Sequence, residues 1–267
     1  MKKIIVAILS ILVGSVGYTI VDKTIENRVS ELESKVSYLE EVVEFYHSDY
    51  SITNETLSSG LTKSEFVDFF NAETAKAAKG SYKFNRNCSY TDPIDVGNAT
   101  DTLNSIISSI DKNSNLDTVV DGFLGIGTKT GTFPQDSLDE NYRLISTSLK
   151  LSDVEKLSYS DGVYTFTLSN ATNPKKTGAT PLSRFTNDFI THEEVVDGIA
   201  GFTTLIKVNE TNVNYTNTKV EVKVADGKIE SIKYSYNFDA TLQLKAIVTI
   251  NGTCSTKTIA SYTDLKY

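Results

Sequence analysis

Two cysteines, two histidines and 34 carboxylates are the side chains of this 267-residue sequence that could carry chemistry. Nucleophilic catalysis needs a base beside a serine or cysteine. His47 falls in a heptad-patterned stretch, and His192 falls at a helix start beside Glu193 and Glu194. No triad is visible, and solvated positions suit both histidines. A metal site at His192 would need further ligands, and only one other histidine exists. The glycine-rich stretch GFLGIGTKTG, residues 122–131, misses the phosphate-loop pattern, which requires lysine directly after the second glycine. Here Gly127 is followed by Thr128 and only then by Lys129, so a surface turn or loop is expected. Carboxylate pairs could converge only through the fold. We therefore expect a non-enzymatic protein with no catalytic residue, no metal and no cofactor.

Cys88 and Cys254 each fall on a strand-like stretch, at opposite ends of what reads as one domain. Outside the cytoplasm an even pair suggests a disulfide, Cys88–Cys254, which closes a loop long enough to stabilise by about 4–5 kcal/mol. Two unpaired, buried thiols are the alternative.

One stretch organises the rest. From Ile232 to Ile250 the even-numbered residues are apolar or aromatic and the odd ones nearly all polar. Successive strand side chains point to opposite faces, so this reads as a strand with one dry and one wet face. A two- or four-residue loop would flip the parity. The simplest reading is one unbroken strand of about 60 Å, at roughly 3.3 Å per residue. Its dry face must be covered. Tyr234, Tyr236, Phe238, Leu242 and Leu244 are the candidate ligand-lining residues if that face is a cavity, and ordinary core if helices fill it.

The elements around it follow from local signals. Thr62 and Glu65 form a capping box, with Leu61 and Phe66 as its hydrophobic staple, opening a helix that runs to Lys79 and stops at Gly80. That helix carries Phe66, Phe69 and Phe70; Leu103, Ile106, Ile107 and Ile110 mark a second, and residues 116–121 a third. Residues 81–90 and 142–151 alternate as strands, and Asp161-Gly162 joins two more as a hairpin. A helical stretch from Leu182 precedes a second capping box, Thr191 with Glu194. Strands are expected over 201–208, 213–215 and 218–224, and a three-residue turn at 225–227 leads into the long strand. Asn251-Gly252 reads as a further sharp turn before a last strand over 253–262. Helices and strands are segregated and neighbours antiparallel. The expected class is α+β, a long, curved antiparallel β-sheet with helices packed on its apolar face.

The N-terminus sets location. Lys2 and Lys3 precede a charge-free apolar run, residues 4–21, whose 18 helical residues would span about 27 Å. It reads as a signal anchor, or as a signal peptide cleaved after Gly17; either leaves the following chain outside. Ile25, Val29, Leu32, Val36, Leu39, Val43 and Tyr46 are spaced by four and three in alternation, the pattern of a parallel two-stranded coiled coil. Four segments result: 1–21 signal anchor or signal peptide, 22–48 coiled-coil stalk, 49–61 linker, and 62–267 extracytoplasmic α+β domain. The net charge of −8 offers no basic stripe, so no nucleic-acid partner is expected. The partners expected instead are the membrane through 4–21, a second copy through 25–46, and an extracellular partner or hydrophobic ligand.

FNAETAKAAKG (70–80), GFLGIGTKTG (122–131) and LSRFTNDFITHEEV (182–195), together with the long strand, resemble uncharacterised secreted or membrane-anchored proteins of low-GC Gram-positive bacteria. That resemblance covers about 62–267 and implies location at the cell envelope but no activity. The expected architecture also resembles the half-barrel lipoprotein carriers, which implies hydrophobic-ligand binding by analogy of fold alone. An envelope protein presenting an interaction domain on a dimerising stalk is the first expectation. A hydrophobic-ligand carrier is the second.

Overall fold

The structure is a computed structural model and describes residues 60–267, apart from Ser137, Thr204 and Ile247. The expected anchor (4–21), the stalk (22–48) and nearly all of the linker (49–61) lie outside the described residues. Among the described residues no helix is long and apolar enough to cross a membrane.

Thr62 caps α1 (Lys63–Ala77) through the expected box, its hydroxyl and backbone N–H both meeting the Glu65 carboxylate. Strand β1 (Ser81–Asp95) follows and runs on through Pro93, past its expected end. Two helices come next: α2 (Thr100–Ile110) and α3 (Leu116–Leu124), the latter boxed by Asn115 and Thr118. The glycine-rich stretch is not a surface loop. Gly122 belongs to α3, Gly125 caps it at φ 63°, and residues from Gly127 on form β2 (Gly127–Phe133) beside β1.

Residues 142–151, expected as a strand, join no ladder. Leu144, Thr147 and Leu149 are buried against the core, but the backbone is bonded by side chains. Asn71 brackets Leu149, accepting from its N–H at 3.0 Å and donating to its carbonyl at 2.9 Å, and Thr74 accepts from Thr147 N–H at 3.2 Å. Side-chain partners on a helix can satisfy an extended backbone as a strand would.

The hairpin of β3 (Val154–Ser160) and β4 (Val163–Leu168) turns at Asp161-Gly162, both at positive φ as a primed turn requires. A two-residue β5 (Ala171–Thr172), a short α4 (Pro181–Phe185) and α5 (His192–Phe202) complete the middle of the chain. Thr191 and Glu194 box α5 as expected. The last three strands are β6 (Lys207–Ala225), β7 (Lys228–Lys245) and β8 (Thr249–Lys266). All pairs are antiparallel in the order β2-β1-β8-β7-β6-β4-β3, with β5 beside β6. The molecule is α+β.

Three expectations about the strands are corrected. The stretch 232–250 is not unbroken: β7 stops at Lys245, which pairs with Thr249, so three residues separate the pair. An odd loop preserves parity, which is why the alternation passes through it without a slip. Second, Asn251 and Gly252 form no turn and pair within the sheet with Gln243 and Leu242. A methyl group at Gly252 would come within 3.2 Å of Val96 Cγ1, so the glycine admits a close neighbour there. Third, the strand expected over 201–208 is mostly the end of α5 and the residues after it, and those expected over 213–215 and 218–224 are one strand, β6; a bulge between Thr216 and Lys219 shifts its register, and the 225–227 turn is a two-residue Asp226-Gly227 loop with a bulge beside it.

One face of the sheet is apolar and carries the helices. Phe66 and Phe70 of α1 pack on Phe166, and Phe185 of α4 meets Tyr234 edge-on. This main cluster is filled core. A second cluster of Val96, Leu103, Ile107, Leu116, Ile206, Leu244 and Ile250 gathers α2 and the start of α3 at the β7–β8 end.

Candidate ligand-binding site

Between the two clusters lies a cavity of about 410 Å³. Its floor is β7 and β8, with Phe238, Ala240, Leu242, Leu244 and Cys254; Leu103, Ile107, Leu116 and Val119 roof it from α2 and α3, Val195 and Ile199 from α5. The lining is almost wholly aliphatic. One exception is Thr211 on β6, 4 % exposed.

A second chamber of about 320 Å³ adjoins it and shares Phe123, Leu124 and Phe238 as lining. This one is polar. At its base Arg86 on β1 donates through Nε to both carboxylate oxygens of Asp188, and both side chains are buried. Arg86 Nη1 also donates to the Gly125 carbonyl at 2.7 Å, closing the C-terminal end of α3, where a cation is favoured. Gly125 needs to be glycine twice over: φ is 63°, and a methyl group would sit 2.8 Å from the Tyr142 hydroxyl.

Tyrosines tie the loop of Asp188 to the sheet. Tyr234 donates to Asp188 Oδ2 at 2.9 Å, and Tyr236 donates to its carbonyl at 2.6 Å. Tyr215 accepts from Ile190 N–H and donates to its carbonyl. Burial, with Asp188 nearby, pushes all three hydroxyls well above the ordinary tyrosine range, so they act as neutral donors. Burial opposes charge on Arg86, but Asp188 outweighs it and holds the guanidinium cationic. Nearer the mouth, Lys176 donates to Glu194 at 2.7 Å and to Asn141 at 2.6 Å. Arg86 is thus matched by Asp188 and Lys176 by Glu194, which removes the penalty of a lone buried ion at the base of the chamber.

The five residues expected to line a ligand site divide among three surroundings. Tyr234, 1 % exposed, belongs to the filled core; Tyr236 faces the polar chamber; Phe238 lines both; Leu242 and Leu244 line the apolar cavity. Of the helical residues, Phe66 and Phe70 fill the sheet face and α2 roofs the cavity. The Cys88–Cys254 disulfide is not formed, and both are free, buried thiols. They are not at opposite ends: both face inward on adjacent strands, but Cys88 pairs with Thr258, four residues along from Cys254. At roughly 3.3 Å per residue that offset, about 13 Å, exceeds the Cα separation a disulfide spans. Cys88 lines the polar chamber and Cys254 the apolar one.

Arg86 and Asp188 escaped the reading of the sequence. The signal was there for Arg86: it shares parity with Tyr82, Phe84 and Cys88, and a charge on the dry face of a strand requires a buried partner. Nothing local marks Asp188 as that partner. Among the described residues no three His, Cys, Asp or Glu gather in a metal-holding arrangement. Family models, curated proteins and solved structures compared with this chain give no match.

Proposed function

We propose that residues 62–267 form a non-enzymatic binding domain that takes an apolar ligand between β7–β8 and the helices α2, α3 and α5. The observation that carries this is the aliphatic cavity of about 410 Å³. Leaving an aliphatic surface of this extent facing water is unfavourable, by about 25 cal/mol per Å² of apolar area. Water is a poor filler of an aliphatic space, and small-molecule sites are about this large. A ligand chain removes the cost.

The charge-free run 4–21 and the heptads of 25–46 support the same picture. They hold the domain outside the membrane on a paired stalk, beside a supply of apolar molecules.

The test compares the full-length chain with Ala240→Trp, whose indole would occupy the cavity. Each is purified, extracted with organic solvent, and the extract analysed by mass spectrometry. The native chain is expected to yield a stoichiometric apolar compound and the variant little or none, with equal circular dichroism. Extracts without such a compound, together with no uptake of added long-chain hydrocarbon, would overturn the reading.

A further inference from the structure

Lys207 of β6 and Lys245 of β7 stand directly opposite one another, at the end of the sheet where β7 turns back into β8. Like charges so placed weaken a strand pair. Both lysines are exposed. Further along β6, Lys219 and Lys223 each meet a glutamate, but neither Lys207 nor Lys245 has an ion-pair partner among the described residues. Residues 203–209 and 243–251 hold these two lysines and no carboxylate, in a chain of net charge −8. Two apolar side chains flank the lysines. Leu205, two residues before Lys207, is 65 % exposed, and Val248, next to the Thr249 that pairs with Lys245, is 57 % exposed. Their neighbours Ile206 and Leu244 turn the other way, are buried, and line the aliphatic cavity.

We propose that this tip is a docking surface for an anionic phospholipid bilayer, with Leu205 and Val248 entering the interface and Lys207 and Lys245 meeting the head-group phosphates. Exposed apolar side chains grouped with charge mark interaction sites. At a bilayer the aliphatic groups bury area at the acyl boundary, while the ammonium groups stay level with the phosphates. A lysine near an anionic surface is worth roughly fivefold in binding, so the two together contribute about 30-fold. The cost of opposing two lysines within the sheet is then offset from outside the chain. A second copy of the chain does not suit this surface, because a symmetric contact would face lysines with lysines. The docking surface does not rest on what occupies the cavity, though it sets the Leu244 end of that cavity toward the bilayer.

The chain contains no tryptophan, so a single substitution introduces a unique fluorophore. Leu205→Trp places it at the tip. Ile259→Trp places it at another exposed apolar position, ten residues from Thr249 and about 33 Å away along β8. The full-length chain carrying either substitution is reconstituted with vesicles of phosphatidylcholine, alone or with phosphatidylglycerol, part of the lipid being brominated on its acyl chains. Bromolipid is expected to quench the Leu205→Trp emission in the phosphatidylglycerol vesicles, far less in phosphatidylcholine alone, and the Ile259→Trp emission in neither. Lys207→Glu combined with Lys245→Glu keeps a like-charge pair in the ladder, so the burden on the fold is the same and only the sign changes. Added to Leu205→Trp, this pair should lower the ratio of docked to free tip by at least about 30-fold, with unchanged circular dichroism.

Quenching of Leu205→Trp that is absent, equal in the two lipids, or matched by Ile259→Trp would overturn the docking surface, whatever the cavity holds. A short-wavelength Leu205→Trp emission before any vesicle is added would place the tip against protein and overturn it as well. Lipid-selective quenching by a chain whose extracts and hydrocarbon uptake are blank would uphold the docking surface and remove the apolar-ligand reading alone.

Discussion

Arg86 and Asp188 stand 102 residues apart in the sequence and meet with Nε 2.9 Å from Oδ1 and 3.1 Å from Oδ2. The pair fastens the loop before α5 to β1, and through Gly125 it fastens the end of α3 as well. Removing one partner strands the other. Asp188→Asn is expected to cost about 3–5 kcal/mol, read as a lower urea midpoint with an unchanged slope. Arg86→Met combined with Asp188→Leu should recover much of that loss, because two apolar groups leave no buried charge behind.

A second buried pair sets the acid limit of stability. Arg184 grips Asp153 with Nε at 2.7 Å from Oδ2 and Nη2 at 2.5 Å from Oδ1. Burial alone would raise the Asp153 pKa, but the Arg184 bonds and the Lys150 N–H outweigh it and hold the carboxyl below its ordinary value. The folded state therefore binds this proton less readily than the unfolded chain. The stabilisation is complete above the unfolded carboxylate pKa, about 4, and fades as pH falls through the lower folded value. Melting temperatures of the native chain and Asp153→Asn should differ by a constant amount from neutral pH down to about pH 5, and converge below about pH 4.

Local chemistry was legible in the sequence where one short stretch decides the outcome. Both capping boxes, at Thr62 and Thr191, form as their spacing implies, and Asp161-Gly162 turns its hairpin. The apolar face of β7 was equally plain from parity. What parity cannot register is a loop of odd length, so the break after Lys245 passed unseen. Asn251-Gly252 carries turn residues, but glycine also suits a strand that runs close to Val96. Residues 142–151 alternate like a strand because one side is buried, and the partners of their backbone, Asn71 and Thr74, are helical side chains that no periodicity announces. The polar half of the site depends on contacts between residues far apart in the chain. Only Arg86 left a mark, as a charge at a dry position.

The thiols offer a direct check on the register of β1 against β8. With Cys88 and Cys254 free, intact mass is expected to show two reduced cysteines even after purification in air. Burial, with Asp239 and Cys88 nearby, pushes the Cys254 thiol up to about 11, so little thiolate exists at neutral pH. Iodoacetamide should label neither readily in the native chain and both in denaturant. A disulfide-linked peptide pair in a non-reducing digest would contradict the register.

Cavity and core differ most sharply in how they receive extra volume. Ala240 lines the aliphatic cavity on β7, whereas Ala77 on α1 is fully buried in the main cluster. Leucine at Ala77 must force its neighbours apart, which costs about 1–3 kcal/mol. Leucine at Ala240 enters empty space: its methyls gain contacts and displace nothing. Ala240→Leu should therefore leave the urea midpoint of the delipidated protein unchanged or raise it, while Ala77→Leu lowers it. The same Ala240→Leu variant should take up a shorter hydrocarbon than the native chain, since the added side chain occupies volume the ligand would use. Equal destabilisation by the two substitutions would mean that β7 is packed as tightly over Ala240 as α1 is over Ala77, and that no ligand space exists there.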